Sequence, residues 1–326
     1  MSFKTAFKKH AMEIQFWAYE LGNINASIAG SGGYEKFLHD TATQDASTLA
    51  ASYPDATAAL LIGSVVVAAP ALRSASQKLG SGTGTLNAID TGTALTAAGI
   101  LAYTLTNDAS WITTSASSFV VGSSLLRFCA ENPFFLKAGG LAIAFGGVCF
   151  STYGASNLLS PDTALNTKFL LDTLAATSGL YVTAASLQMY TGGIIDTAAF
   201  KDNAQHEGTW SEKLTHPVKG SLSRLFTRYV DAPIQKIDAL AKRTILRYIP
   251  ESTRNGKPLL TSMWARLPWR VATGAAAAAT GQYSFALSNA MWGVGDTAIG
   301  SKDWHDESNK ADKKDEKKLE SGPAIL

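Results

Sequence analysis

Three aspartates, Asp90, Asp172 and Asp196, directly border uncharged parts of the chain. Each stands at the edge of a segment that contains no Asp, Glu, Lys or Arg. A carboxyl group inside a bilayer is costly to bury and is by default a functional candidate, for example in proton or cation coupling. At a segment edge, interfacial water and the helix dipole also stabilise such a group. The three residues are therefore candidate polar membrane positions, and solvated edge residues are the alternative.

Other residue types that do chemistry are scattered. The five histidines lie outside every uncharged segment, and Cys129 and Cys149 have the spacing and surroundings of packed small side chains. The motifs CxxC, HExxH and GxSxG and a phosphate-binding glycine loop are absent. We therefore predict no catalytic residue, no cofactor and no metal site. A net charge of +2 also argues against nucleic acid as a partner.

The uncharged segments must position these aspartates. A helix needs about 20 mainly apolar residues to cross a bilayer, and three of the segments are long enough, while the others are 17 or 18 residues long. Small residues such as Ala138, Ala142 and Gly146 repeat every fourth position, which lets membrane helices approach closely. Ala-rich and Ser-rich composition keeps a soluble helical bundle as the alternative. The six segments are 56–72, 91–107, 109–126, 138–161, 173–195 and 271–295.

We predict an all-α fold, a polytopic transmembrane bundle with five or six membrane segments in an inner or plasma membrane. The predicted bundle occupies 56–200. Basic residues favour the cytoplasmic side, which assigns 73–89, 127–137 and 201–270 to the cytoplasm. The last of these ranges holds 13 basic and six acidic residues.

The segment 271–300 is predicted as the last transmembrane helix, with an Ala-rich helix packed on the bundle as the alternative. Trp269 and Trp292 flank it as interfacial anchors would. A crossing here leaves the tail, 301–326, outside. That tail mixes six lysines with seven acids and is predicted to be disordered.

The N-terminal region, 1–55, is predicted as an amphipathic helix over 3–21 followed by a linker. The helix either lies in the membrane interface or packs on the protein. Its lysines, Lys4, Lys8 and Lys9, conflict with the external location that counting back from 73–89 requires. Either 56–72 dips into the bilayer without crossing it, or a short acidic N-terminal region is exported.

Residues 219–249 repeat apolar side chains at helical spacing, with a break expected at Pro233. This amphipathic pattern predicts a cytoplasmic helix on anionic lipid or on a protein partner, or a helical hairpin that buries its own face. The basic residues that would form the lipid or partner surface are Arg224, Arg228, Lys242, Arg243 and Arg247.

The functional prediction is an integral membrane protein that scaffolds or assembles with partners through 201–270. The alternative is a small-solute or ion transporter that uses the interior of the bundle. A membrane enzyme ranks third, because the sequence offers no nucleophile, base or metal site at a recognisable spacing.

Overall fold

A computed structural model of the chain describes residues 11–126, 133–159, 167–191 and 263–298. Helices make up 90% of these residues and none of them forms a strand, so the predicted all-α class is confirmed. In chain order the helices are α1 (Ala11–Gly30), α2 (Tyr34–Thr43), α3 (Ala46–Ser52), α4 (Pro54–Lys78), α5 (Thr83–Thr106), α6 (Trp111–Leu126), α7 (Pro133–Leu158), α8 (Thr167–Thr191), α9 (Met263–Ala279) and α10 (residues 283–298).

Two kinds of local signal end and start these helices. Glycines with positive φ follow α1, α4 and α9, at Gly33 (95°), Gly80 (71°) and Gly281 (77°), where a residue with a side chain would be strained. Asp45 caps α3 by accepting the backbone N–H groups of Ser47 and Thr48, both at 2.9 Å.

The long helices pack antiparallel to their neighbours. Along the α6–α7 pair, Ser118 donates to the carbonyl of Ala142 and Ser115 to that of Gly146, at 2.6 and 2.7 Å. The pairs α4–α5, α7–α8, α9–α10, α1–α6 and α1–α10 run in the same alternating way, which the contacts Arg73–Asp90, Gly154–Ala176, Gly274–Ala286, Gly30–Thr113 and Gly22–Ser288 record. The predicted small-residue series thus faces α6 at Ala142 and Gly146.

Antiparallel packing sorts the connections onto two ends of the bundle. One end carries the turn 79–82, the start of α1 and the ends of α6, α8 and α10. The other end carries the turns 31–33, 107–110 and 280–282 and the end of α7, together with α2 and α3. We call the first the basic end and the second the acidic end. The ranges 31–55, 107–110, 159–168 and 280–282 together hold six acidic and two basic residues, whereas the segment that leads into α1 holds three lysines and no acid.

The bundle buries polar side chains and exposes large apolar ones. The side chains of Val67, Leu95 and Leu180 are more than 60% exposed, while Ser117 and Ser118 are fully buried. Further buried hydroxyl, amide and carboxyl side chains, each at most 3% exposed, are Glu20, Asn23, Ser27, Thr104, Thr113, Thr114, Ser115, Asp172, Ser186, Thr273, Ser284, Ser288, Asn289 and Asp296. They share the interior with a cluster of apolar side chains that includes Ile62, Phe150 and Phe285, so the core is more polar than that of a typical water-soluble protein.

Two helices are long and apolar enough to cross a membrane by length and composition, Pro54–Lys78 and Ala138–Leu158. Their mean hydropathies over 18 residues are 1.8 and 1.3. The first continues through Pro70 without a break.

The prediction of a single, continuous last transmembrane helix over 271–300 is wrong. The chain turns at Thr280, Gly281 and Gln282, so α9 and α10 form an antiparallel hairpin. Gly281 at positive φ closes α9, and the backbone N–H of Gln282 bonds to the carbonyl of Ala277 at 2.9 Å. As a consequence α10 ends at the basic end of the bundle, where the tail 301–326 is attached.

The N-terminal region agrees with expectation only in part. Helix α1 packs on the protein, which is one of the two alternatives, and it buries polar residues against α6 and α10. Its apolar residues divide, because Ala18 is buried while Trp17 and Leu21 are exposed at 36% and 43%. The expected linker over 41–53 is largely helical, because α2 runs to Thr43 and Asp45 caps α3. Residues 1–10, 192–262 and 299–326, which contain the predicted basic surface and tail, lie outside the described residues.

Candidate functional site

Helix α1 contributes a buried carboxylate to the interior of the bundle. Glu20 is 1% exposed and accepts hydrogen bonds from the hydroxyl of Ser123 on α6 and from the amide of Asn23, the latter at 3.4 Å. Burial of a carboxylate is costly unless hydrogen bonds compensate for the lost water. The polar face of α1 supplies one such donor and the serine-rich face of α6 supplies the other.

A second buried carboxylate, Asp296 on α10, is fully enclosed. It accepts a hydrogen bond from the hydroxyl of Tyr19 and pairs with Nε of Arg270 on α9 at 3.5 Å. The guanidinium of Arg270 also lies 4.6 Å from the ring centroid of Trp292, a cation–π distance. The hairpin is thereby tied to α1 through charged groups.

Trp292 joins the two carboxylates into one set of contacts. Its indole N–H donates to the amide oxygen of Asn23 at 3.2 Å, and its ring is edge-on to Phe119 and Phe150 at 6.1 and 6.0 Å. Trp292 is 3% exposed, so it is a core residue and the interfacial role expected for it is wrong. We call this set the carboxylate cluster, which comprises Tyr19, Glu20, Asn23, Ser123, Arg270, Trp292 and Asp296.

The carboxylate cluster has the chemistry of a proton-binding or structural polar network. Two carboxylates, a phenol and a guanidinium from α1, α9 and α10 are linked with Asn23, Trp292 and Ser123 of α6 into one set of contacts. The part of the chain that the structure describes brings no three His, Cys, Asp or Glu side chains into a metal-binding group. The carboxylate cluster lies toward the basic end, because it includes Ser123 near the end of α6 and Arg270 in the first half of α9.

Asp90, the first of the predicted aspartates, is part of an ion pair. Its carboxylate bonds to the guanidinium of Arg73, and the side chains are 9% and 37% exposed. The pair links α4 to α5 beside the turn 79–82, at the basic end. An ion pair at a hairpin end is a structural arrangement rather than a free carboxylate in a cavity.

Asp172 lies at the opposite, acidic end. It is 1% exposed and accepts a hydrogen bond from the amide of Asn157 at 3.1 Å, joining the start of α8 to the end of α7. The structure therefore does not bring Asp90 and Asp172 together. Asp196 and the basic residues Arg224, Arg228, Lys242, Arg243 and Arg247 fall outside the described residues.

A groove of about 610 Å³ runs between the two helices of the hairpin. Small residues form most of its wall, and it has no acidic lining residue. Asn289 contributes a side chain that is 1% exposed, whose amide N–H donates to Phe285 at 3.0 Å while its amide oxygen has no hydrogen-bond partner. The lining residues are Leu267, Arg270, Val271, Gly274, Ala275, Ala286, Asn289, Ala290, Gly293, Val294 and Thr297.

Sequence reasoning missed the carboxylate cluster for an identifiable reason. The stretch 14–34 holds 21 residues with Glu20 as its single charge, so a search for charge-free segments rejects it. Allowing one charge per segment would have found α1. Asp296 can pair with Arg270 only because the chain turns at Gly281. The prediction of a continuous helix over 271–295 left this turn out and therefore missed the pair.

Comparison of the chain with protein-family models, with curated proteins and with solved structures finds no match.

Proposed function

We propose that the protein is a multi-pass membrane protein in which α1 and α4–α10 lie in the bilayer, and that it serves as a non-enzymatic subunit of a membrane assembly. The observation that carries the proposal is the combination of large apolar side chains on the outside of the bundle with many polar side chains in its interior. Leucine and valine side chains such as Leu95 and Val67 face outward, while serine, threonine, asparagine and carboxyl groups share the interior with apolar side chains. Lipid solvates the former, and neighbouring helices satisfy the latter.

The distribution of charge supports the membrane location. Lys4, Lys8 and Lys9 precede the start of α1 at the same end as the turn 79–82, and the segment 192–262, which contains most of the basic range 201–270, joins α8 to α9 at that end. Basic residues are retained on the cytoplasmic side, so one orientation accounts for all of these segments. The conflict that the N-terminal lysines raise in a scheme that starts at 56–72 disappears when α1 is counted as a crossing.

The location of the longest segments supports a role in assembly. Both 192–262 and 299–326 are attached at the basic end, and together they hold most of the charged residues of the chain. The five basic residues Arg224, Arg228, Lys242, Arg243 and Arg247 lie in the first of them. We propose that this segment binds a protein partner at the cytoplasmic face.

Expression of the tagged full chain tests the proposal in two steps. We expect it to stay in the membrane pellet after an alkaline wash and, in mild detergent, to co-purify with a protein partner in a fixed ratio. Replacing the five basic residues with glutamine should remove the partner, whereas five lysine-to-glutamine changes in the tail should retain it. Recovery in the aqueous supernatant would contradict the membrane location, and a lone monomer would contradict the assembly role.

The carboxylate cluster favours one second candidate, an ion-coupled transporter. Intramembrane carboxylates are costly to keep and frequently bind the coupling ion, and Glu20 and Asp296 are both buried within contact of hydroxyl groups.

Liposomes that contain the purified chain and a pH-sensitive dye test this second candidate. Proton flux that is lost in Glu20→Gln and Asp296→Asn but retained in Glu35→Gln, an exposed position on α2, would support transport. Flux equal to that of empty liposomes would exclude proton-coupled transport as the function.

A further inference from the structure

The groove between α9 and α10 has the features of a lipid site. We propose that it binds an anionic membrane lipid that has a free hydroxyl or amide N–H beside its headgroup, with the headgroup at Arg270 and the acyl chain over the small residues. This inference rests on the membrane location proposed above.

The cation at the groove is Arg270. Within the described residues it donates from Nε to Asp296 and lies against Trp292, and its terminal nitrogens have no hydrogen-bond partner. A guanidinium has five N–H donors in a planar fork that suits phosphate and carboxylate. Asp296 pairs with Nε of Arg270 from outside the groove, and the remaining guanidinium N–H groups are the donors that an anion in the groove would use.

The second polar group is the amide oxygen of Asn289. It is an acceptor without a partner in a residue that is 1% exposed, and an unsatisfied buried acceptor costs about 1–3 kcal/mol. Gly274 lies against Asn289 and Gly293 lies against Arg270. Arg270 and Gly274 are four residues apart, which corresponds to a rise of about 6 Å along α9.

The remaining wall accepts an alkyl chain. Beyond Asn289 the groove continues past Gly274, Ala275 and Ala286 toward the turn 280–282. Its volume of about 610 Å³ falls within the usual range of about 300–1,000 Å³ for ligand sites. Arg270 lies on the side of the basic end, and anionic lipids are concentrated in the cytoplasmic leaflet. Headgroup and chain therefore have the same order as in that leaflet.

Native mass spectrometry of the full chain in mild detergent tests the site. The probes are lysophosphatidic acid, which has one acyl chain, a free hydroxyl and a phosphate, the matching monoacylglycerol, and inorganic phosphate. We expect lysophosphatidic acid to bind at least about tenfold more tightly than either of the others, because a charged hydrogen bond contributes about 1.5–3 kcal/mol.

Variants locate the binding. Ala290→Trp, which fills the groove, should weaken lysophosphatidic acid at least about tenfold, whereas Ala272→Trp, exposed on α9 outside the groove, should bind normally. Asn289→Leu should weaken lysophosphatidic acid and leave monoacylglycerol binding less affected than Ala290→Trp does.

Three outcomes would overturn the lipid site. Equal binding by the parent chain and Ala290→Trp would show that the lipid is elsewhere, and equal binding of inorganic phosphate would reduce the site to an anion site. A protein cross-linked through position 290 would assign the groove to a partner helix. Each outcome, obtained with chain purified from membranes, leaves the membrane location intact, whereas chain recovered without detergent contradicts both proposals.

Discussion

Two pairs of neighbouring helices use the same small residues in different ways. In the α7–α8 pair, Gly147, Gly154 and Gly179 bring the two backbones together, and a Cβ atom added at Gly147 would be 2.8 Å from the carbonyl oxygen of Gly179. In the α9–α10 pair, a Cβ atom at Gly274 or Gly293 would meet its neighbours at no less than 3.4 Å, and an open groove remains. Small residues close the first interface and leave space in the second.

The difference teaches that composition alone does not define the role of a small residue in this protein. Both pairs come from uncharged segments rich in glycine and alanine. The α7–α8 pair has matched glycines facing backbone, whereas the α9–α10 pair is held at its basic end by Arg270 and Asp296 and at the other by the turn at Gly281. The closed pair is suited to stability and the open pair to binding.

The largest effect is expected at the closed interface. Gly179→Ala would place a Cβ atom 2.5 Å from the carbonyl oxygen of Gly147 and 2.7 Å from Cα of Ser151, so the helices must separate. We expect a loss of about 3 kcal/mol in the free energy of unfolding, measured by denaturant titration in detergent micelles.

Gly99→Ala is the matched control, because nothing lies within 4 Å of the added Cβ atom on α5. Helix propensity alone should then raise stability by up to about 1 kcal/mol. Equal stabilities of the two variants would contradict the close packing of α7 and α8.

A smaller effect is expected where charge holds the open pair to the bundle. Asp296→Asn removes the partner of Arg270 in a fully buried position and should cost about 2 kcal/mol in the same titration. Asp90→Asn, whose partner Arg73 is 37% exposed, should cost less than about 1 kcal/mol. If Asp90→Asn loses more stability than Asp296→Asn, the pair Arg73–Asp90 contributes more than the pair Arg270–Asp296, which would contradict the account.

The wall of the open groove should tolerate a larger residue. Ala290→Leu extends into the groove and should change the free energy of unfolding by less than about 0.5 kcal/mol. Ala277→Leu, at a fully buried position of the same hairpin, should cost about 1–3 kcal/mol through overpacking. If both variants lose the same stability, the groove is closed in solution and the contrast between the helix pairs fails.

The smallest effect concerns the cap of α3, outside both pairs. The hydroxyl of Ser47 and the N–H of Thr48 lower the pKa of Asp45 to about 2. A lowered pKa stabilises the cap above the ordinary value of about 3.9, and the stabilisation is lost as the pH falls through about 2.

Hydrogen exchange of the α3 amides, corrected for the intrinsic effect of pH, measures this loss. Protection should fall in acid in the parent chain and be independent of pH in Asp45→Asn, which keeps an acceptor at the cap. A parallel acid response in Asp45→Asn would assign the transition to another group.

Much of the helical order was predictable because a long segment without charge is typical of a helix that packs against apolar surroundings. The segment 56–72 falls within α4, and the segments 91–107 and 109–126 overlap α5 and α6 except for one or two residues at the turn 107–110. Glu20 concealed α1, since a single hydrogen-bonded carboxylate is compatible with a buried helix although a charge-free search excludes it. Gly281 concealed the hairpin, because glycine is common within apolar helices and also at their ends.

The candidate site was less predictable than the helices. Asp90 and Asp172 are both in helices, but the antiparallel order puts them at opposite ends. Glu20 and Asp296 are 276 positions apart and are linked through Asn23, Trp292 and Arg270. The open amide oxygen of Asn289 depends on how α9 and α10 pack. Such relations follow from tertiary packing, which local spacing does not encode.

Membrane topology tests the central claim most directly. In a variant without Cys129 and Cys149, single cysteines at Asn107, Gln77 and Ser321 are treated with an impermeant thiol reagent in intact cells. The bundle with α1 as a crossing and α9–α10 as a hairpin predicts labelling of Asn107→Cys alone, with Gln77→Cys and Ser321→Cys labelled only after permeabilisation. Labelling of Ser321→Cys in intact cells, with Gln77→Cys protected, would contradict the hairpin and restore a single last crossing.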